Sequence, residues 1–223
     1  MTNEPLIEEL ERLKEDLLRM GRLLEVQVYK AVQALVNKDP ELAREVIEND
    51  DIIDEMELNI EKRALNLIAL KQPLARDLRL IATALRMIVD IERMADHAEE
   101  IARLALELHA QTYIKPLIDI PRMARVAQQM VDNSLKSFIE QDTSMAMALI
   151  EAEREMDALY DQIFRELLSY MMQDQKNIPQ ATSLLLVAGH LERIGDHATN
   201  LGEMVIYVVD GKRLDLNRMA RDV

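Results

Sequence analysis

The 223-residue chain has no cysteine, no tryptophan, only two phenylalanines and five tyrosines, and only five glycines and six prolines. The absence of cysteine excludes disulfides, zinc–thiolate sites, cysteine-ligated iron–sulfur clusters and a cysteine nucleophile. Turns and β-sheets draw heavily on glycine, proline and aromatic residues. Because these residues are scarce while 49% of the chain is hydrophobic, the composition predicts a folded, all-helical protein.

The chain also lacks a basic surplus and a long apolar run. Its 27 lysines and arginines face 41 acidic residues, which gives a formal net charge of −14. This balance argues against binding to nucleic acid or to an anionic membrane surface. No apolar run approaches the roughly 20 residues that span a bilayer, and the N-terminus does not resemble a secretory signal. We therefore expect a soluble, cytoplasmic protein without direct membrane insertion.

Apolar residues recur with helical spacing along nearly the whole chain. Breaks in this periodicity are expected at Asp39-Pro40, near Pro73, near Asp142 and between residues 174 and 179. The only stretch typical of a linker is residues 113–121. At Asp39-Pro40 the pattern is that of an N-cap followed by proline in the first helical turn. The periodicity thus predicts six long helices.

The second half of the chain repeats the first. At an offset of 103 residues, Asp39 aligns with Asp142 and Asp54 with Asp157. In the third helix the offset is 100, and Glu92-Arg93 and Asp96-His97-Ala98 align with Glu192-Arg193 and Asp196-His197-Ala198. A repeat of this length indicates a duplicated domain. We predict two tandem three-helix bundles, residues 1–112 and 119–210, followed by a C-terminal tail, residues 211–223.

Each repeat carries two pairs of acidic residues spaced four apart, which places both members of a pair on one helix face. In antiparallel second and third helices, the pairs lie equally far from the connecting turn, so four carboxylates should meet at one level. The eight candidate metal ligands are Asp50, Asp54, Glu92, Asp96, Glu153, Asp157, Glu192 and Asp196.

Such a cluster of carboxylates can be accommodated in three ways: proton uptake, pairing with Arg93, Arg193 or another basic residue, or a multivalent cation. Oxygen ligands suit Mg, Ca, Mn or Fe. Acidic pairs on long helices are also typical of a solvated face. His97 and His197 directly follow an aspartate, so we expect interhelical contacts for them rather than metal ligation.

No catalytic motif is present. None of the four histidines has a glutamate three residues earlier, so the Glu-x-x-His motif of ferritin-like di-iron proteins is absent. The chain also has neither a glycine-rich phosphate loop nor a GxSxG motif. We therefore predict that the protein is not an enzyme.

The segments IERMADHAEEIA and HLERIGDHATNLGE, in duplicate and in order, strongly resemble the PhoU family of bacterial phosphate-transport regulators. The resemblance extends over both repeats. It implies multinuclear metal clusters on the acidic helix pairs, with Fe, Mn, Mg, Zn or Ca as the metal. We also expect the protein to form a homodimer. The resemblance also implies a cytoplasmic adaptor that represses the phosphate-starvation response and contacts two partners, the ATP-binding subunit of the high-affinity phosphate transporter and a sensor histidine kinase.

Two alternatives remain open from the sequence. One is an accessory subunit of a low-affinity phosphate permease, because proteins similar to PhoU also serve that role. The other is a carboxylate-bridged metal enzyme or metal store that uses the same acidic residues, although the symmetry of the repeats argues against distinct acid and base roles.

Overall fold

A computed structural model of the chain describes residues 4–221, and in that part of the chain all regular secondary structure is helical. The α-helices are α1 (Glu4–Asn37), α2 (Pro40–Glu48), α3 (Asp50–Lys71), α4 (Ala75–Leu108), α5 (Asp119–Glu140), α6 (Thr143–Gln173), α7 (Ile178–Asp210) and α8 (Leu216–Arg221). A single 3₁₀ turn, Gln175–Asn177, precedes α7. The predicted all-α class is confirmed.

Two of the predicted helix starts have the expected caps. The Asp39 carboxylate accepts hydrogen bonds from the backbone amides of Glu41 and Leu42, both at 3.1 Å, and Pro40 is the first residue of α2. In the second repeat, Asp142 caps α6 and accepts from the Ser144 amide at 2.8 Å. Both aspartates satisfy amides that would otherwise lack a partner at a helix start.

The expected single long helix after Asp39 is wrong for the first repeat, because Asn49 separates α2 from α3. Asn49 has φ −91° and ψ 0°, and its amide donates to Glu45 O at 3.1 Å. Asparagine and aspartate compete for backbone hydrogen bonds and favour helix ends. The second repeat has Ala152 at the equivalent position, and α6 continues through it without a break.

The helices form two bundles joined along their length. In the first bundle α1, α2 and α3 pack on α4, and in the second α5 and α6 pack on α7. The bundles meet through two pairs of equivalent helices, α1 with α5 and α4 with α7, and their buried residues form one continuous hydrophobic core. Within residues 4–221, no helix has both the length and the apolar composition needed to cross a membrane.

The connection between the bundles, residues 109–118, is fixed to both of them. The Tyr113 hydroxyl donates to Leu35 O at 2.5 Å in the first bundle. On the other side, Gln180 of α7 accepts from the Ile114 amide at 2.6 Å and donates to Thr112 O at 3.1 Å. Lys115, which is only 8% exposed, pairs with Glu166 of α6. These contacts hold the two bundles in one orientation.

In the segment that we predicted as a C-terminal tail, the structure describes residues as far as 221, and they include α8. This short helix packs on α6 and α7, with Leu216 fully buried and Ala220 6% exposed. Gly202 of α7 makes room mainly for Leu149 of α6 and also for Leu216, because a Cβ atom there would lie 2.5 Å from Leu149 Cδ1 and 3.3 Å from Leu216 Cδ1. The Leu216 amide donates to Glu203 Oε1 at 2.7 Å.

The contact between α1 and α5 depends on a glycine. A Cβ atom at Gly21 would overlap the buried side chain of Leu135, whereas at Gly189 the nearest atom, on Tyr160, would be 4.0 Å away. We expect Gly21→Ala to lower the free energy of unfolding by about 1–3 kcal/mol through overpacking. The control Gly189→Ala should raise it by about 0.5–1 kcal/mol, because alanine favours the helix. Urea denaturation of both variants tests this expectation, and equal effects would contradict it.

Candidate metal centre

The structure brings together the four predicted acidic residues of the first repeat, which we call seam one: Asp50, Asp54, Glu92 and Asp96. Asp50 is the first residue of α3 because of the break at Asn49, and Asp54 follows one turn later. Glu92 and Asp96 face them from α4. The charge of Asp96 raises the pKa of Asp50 and the charge of Asp54 raises the pKa of Asp96, as expected for carboxylates at one level of an antiparallel helix pair.

Partial burial, reinforced by neighbouring carboxylates, shifts the protonation of seam one. It raises the pKa of Glu92 to about 7 and that of Asp50 to about 6, and it raises the pKa of Asp96 as well. After burial, the largest contributions are the charges of Asp96 on Glu92 and of Glu99 on Asp50. These groups therefore favour a proton or a cation at neutral pH.

Two further acids belong to the surroundings of seam one. Glu99 lies one turn beyond Asp96 and raises the pKa of Asp50 and Asp96, and Glu57 lies one turn beyond Asp54 and raises the pKa of Glu92. Glu57 was not among the sequence-predicted residues. Its spacing of three from Asp54 was the available signal, because residues three apart share a helix face.

Seam two consists of Glu153, Asp157, Glu192 and Asp196, and these four also lie together. Glu153 on α6 is fully buried, with 0% exposure, and within the described structure no donor reaches either oxygen of its ionised carboxylate. Only a protonated Glu153 can form a hydrogen bond with the neighbouring Asp196 carboxylate, which adds to the rise in its pKa. Burial, followed by the charges of Asp196, Asp157 and Glu192, raises its pKa to about 8. Burial also raises the pKa of Asp157 and of Glu192. A buried carboxylate without a partner is energetically unfavourable.

The two seams differ at two equivalent positions. Glu153 lies against Gly195, where an added Cβ atom would be 3.5 Å from Glu153 Oε2. In seam one the equivalent positions are Asp50 and Ala95, so a shorter acid goes with a larger neighbour. The two seams thus share their ligand positions but differ in depth.

The expected arginines act on the seams only at a distance. Arg93 and Arg193 are exposed and form no ion pair in the described part of the chain, although their charges oppose the rise in the pKa of Glu92 and of Glu192. Arg103 pairs with Glu99 at 2.5 Å, beside seam one. The basic residue that does contact a predicted ligand is Arg221 of α8, whose Nη2 lies 3.6 Å from Asp196 Oδ1.

His97 and His197 take part in interhelical contacts between the two bundles. His97 Nδ1 lies 3.2 Å from His190 Nδ1, and His197 Nδ1 lies 2.7 Å from Asp90 Oδ1. At the offset of 100, these two contacts are equivalent, since Asp90 and His190 occupy matching positions in α4 and α7. Burial, followed by the charges of neighbouring histidines, lowers the pKa of His97 to about 4.

The donor set of both seams consists of carboxylate oxygens, which suit hard cations such as Mg, Ca, Mn or Fe. Among residues 4–221, no three His, Asp or Glu side chains are already arranged to hold a metal ion together. Ligation would therefore require rotation of the seam side chains. The residues nevertheless fit a cation chemically, because the oxygens of Glu153 are buried without any partner.

Comparison with known proteins agrees with this architecture. The PhoU domain matches residues 17–105 and again residues 120–205, one match in each bundle. The chain is 38% identical over 218 residues, 97% of its length, to the whole of a phosphate-specific transport system accessory protein PhoU homolog from Clostridium acetobutylicum. A protein of the same description from Aquifex aeolicus is 44% identical over 207 residues, which are 93% of this chain and 94% of that protein.

Two solved structures have the same fold. PhoU from Pseudomonas aeruginosa superposes with a TM-score of 0.88 at 37% identity and covers 92% of this chain and 99% of that one. The phosphate transport system regulatory protein PhoU from Streptococcus pneumoniae gives a TM-score of 0.87 at 30% identity, with 94% and 99% coverage. The chain belongs to the PhoU family. The names of these relatives describe accessory and regulatory proteins rather than enzymes.

Proposed function

We propose that this protein is a cytoplasmic regulator of phosphate uptake that represses the phosphate-starvation response. It acts as an adaptor between the ATP-binding subunit of the high-affinity phosphate transporter and a sensor histidine kinase, and it binds metal on its two acidic seams. Membership of the PhoU family and the names of its relatives support the link to a phosphate-specific transport system. The observation that carries the metal-binding part is the buried, unpartnered Glu153 carboxyl group within seam two.

The metal sites of this proposal are seam one and seam two. A bound divalent or trivalent cation would supply positive charge to carboxylates that otherwise repel one another. Its role is structural and regulatory, because the sequence has no Glu-x-x-His motif for di-iron chemistry. Fe, Mn, Mg, Ca and Zn are the candidate metals, with hard cations favoured by the oxygen donors.

Exposed apolar residues supply a surface for protein partners. Leu70 and Leu74 flank the turn between α3 and α4 with exposures of 78% and 81%, and Met172 near the equivalent turn of the second bundle is 81% exposed. Large apolar side chains clustered at a surface mark protein-binding sites. We assign the turn between α3 and α4 to the transporter subunit and the kinase, and we propose a homodimer as the form that presents it. Met172 lies at the opposite end of the molecule, because α4 and α7 run antiparallel.

Deletion of the gene in its host tests the regulatory role. We expect the phosphate-starvation response to be active even in high phosphate, because the repressing adaptor is lost. A reporter for that response, measured in high and low phosphate with and without the gene restored, provides the readout. Normal repression in the deletion strain would contradict the adaptor function and favour the low-affinity permease accessory.

The partner surface is tested separately by pull-down of the transporter ATP-binding subunit and of the sensor kinase with purified protein. The variant Leu70→Ser with Leu74→Ser should capture markedly less of both partners. Val26→Ser is the matched control, since Val26 is 47% exposed but lies on α1. Equal capture by all three proteins would exclude the turn between α3 and α4 as the contact.

A further inference from the structure

Helix α8 is attached to the second bundle beside seam two. The backbone carbonyl of Ala220 accepts a hydrogen bond from Arg154 Nε of α6 at 3.1 Å, and Asn217 bonds to the Thr199 hydroxyl of α7. Leu216 is fully buried. The helix therefore has a defined position, and its last described residue, Arg221, is placed next to the acidic residues of α7.

Arg221 acts on three of the four acids of seam two. Its guanidinium forms the ion pair with Asp196 at 3.6 Å. Its positive charge also opposes the burial-driven rise in the pKa of Asp157 and of Glu192. The equivalent residues Arg93 and Arg193 act on both seams, since their charges oppose the rise in the pKa of Glu92 and of Glu192. The Arg221 ion pair is additional, because within residues 4–221 no basic residue forms an ion pair with any member of seam one, and the chain after α4 leads into α5.

We propose that Arg221 is an internal competitor for the cation of seam two and weakens its binding there. This proposal rests on the metal-binding part of the proposed function. A guanidinium and a multivalent cation cannot both approach the same carboxylates without repelling each other. Binding at seam two therefore requires the last turn of α8 to release Asp196.

The unpartnered carboxyl group of Glu153 indicates that seam two can bind a ligand in addition to Arg221. Arg221 is 57% exposed at its side chain, whereas Glu153 is fully buried and keeps both oxygens without a partner despite the presence of the arginine. The arginine thus neutralises only the outer part of the seam. A small cation can reach the buried carboxylate of Glu153. To bind Asp196 as well, it must replace Arg221 there.

The test isolates seam two in the full-length chain. In a background of Glu92→Gln with Asp96→Asn, Mn²⁺ is titrated at pH 8 and the free ion is followed by its electron paramagnetic resonance signal. Arg221→Gln should tighten Mn²⁺ binding about three- to fivefold, the effect of losing one exposed ion pair. Arg221→Lys should retain the weaker binding of the parent, because it keeps the charge. Lys212→Gln, an exposed residue before α8, is the matched control and should leave the affinity unchanged.

The outcomes separate the two proposals. Equal or weaker Mn²⁺ binding by Arg221→Gln would overturn the role of Arg221 and leave the metal sites standing. The same would hold if Lys212→Gln tightened binding as much as Arg221→Gln, because the effect would then reflect net charge. Absence of Mn²⁺ binding in the wild-type protein would overturn both proposals.

Discussion

Replacement of Glu153 by glutamine should raise the melting temperature at pH 8 in a chelating buffer by roughly 4–8 °C. This shift corresponds to an increase of about 2 kcal/mol in the free energy of unfolding. The reason is the proton that this buried carboxyl group holds in the folded state. Its pKa is about 8 there, compared with 4.5 for an exposed glutamate. As the pH rises from 4.5 to 8, unfolding releases this proton ever more favourably, so the protein is destabilised across that window.

The sign of the effect depends on pH. Glu153 contributes no such penalty below about pH 4.5, where both states are protonated, and the full penalty is reached as the pH passes 8. Glutamine is always neutral, so the gain should be large at pH 8 and small at pH 5. The matched control is Glu55→Gln on α3, since Glu55 is exposed and forms no ion pair in the described structure. A loss of stability of equal size at both pH values would contradict the interpretation.

The second large effect is the response of the whole protein to metal removal. At a metal concentration a hundredfold above the dissociation constant, each occupied seam should add about 2.7 kcal/mol to the free energy of unfolding. Chelation should therefore lower the melting temperature by roughly 5–10 °C per seam. Calorimetry in chelator and in Mn²⁺, Fe²⁺ or Mg²⁺ measures this shift.

Paired substitutions assign the shift to each seam. Glu92→Gln with Asp96→Asn should abolish the contribution of seam one, and Glu192→Gln with Asp196→Asn that of seam two, while the combined variant should not respond to metal. Without metal, the raised pKa values of Asp50, Glu92 and Glu153 should make the wild-type protein more stable at pH 5 than at pH 8. If the melting temperature is the same in chelator and in all three metals, the acids form a solvated face instead.

The helical periodicity and the internal repeat predicted most of this architecture correctly. Both features depend on local spacing, and local spacing decides which face of a helix is buried. The break at Asn49 was missed because the apolar pattern continues across it from Val46 to Ile53. The three polar residues Asn49, Asp50 and Asp51 were the available signal, and they favour helix ends individually rather than by periodicity.

The grouping of each set of four carboxylates could be anticipated from their equal distances to the turn. How deeply each carboxylate is buried could not be anticipated in this way. Asp50 and Glu153 occupy equivalent positions, yet only Glu153 is fully buried. The contact of Arg221 with Asp196 was equally inaccessible, since it depends on how the last residues fold back onto α7.

The contacts at the interface of α4 and α7 show what covalent linkage of the repeats permits. In an assembly of two identical chains, every substitution would appear on both sides of the axis, and the two histidines would have the same neighbour. Here His197 faces a carboxylate and His97 faces another imidazole. A duplicated chain can therefore change one half at a time, and two sites of common origin can acquire different chemistry within a single molecule.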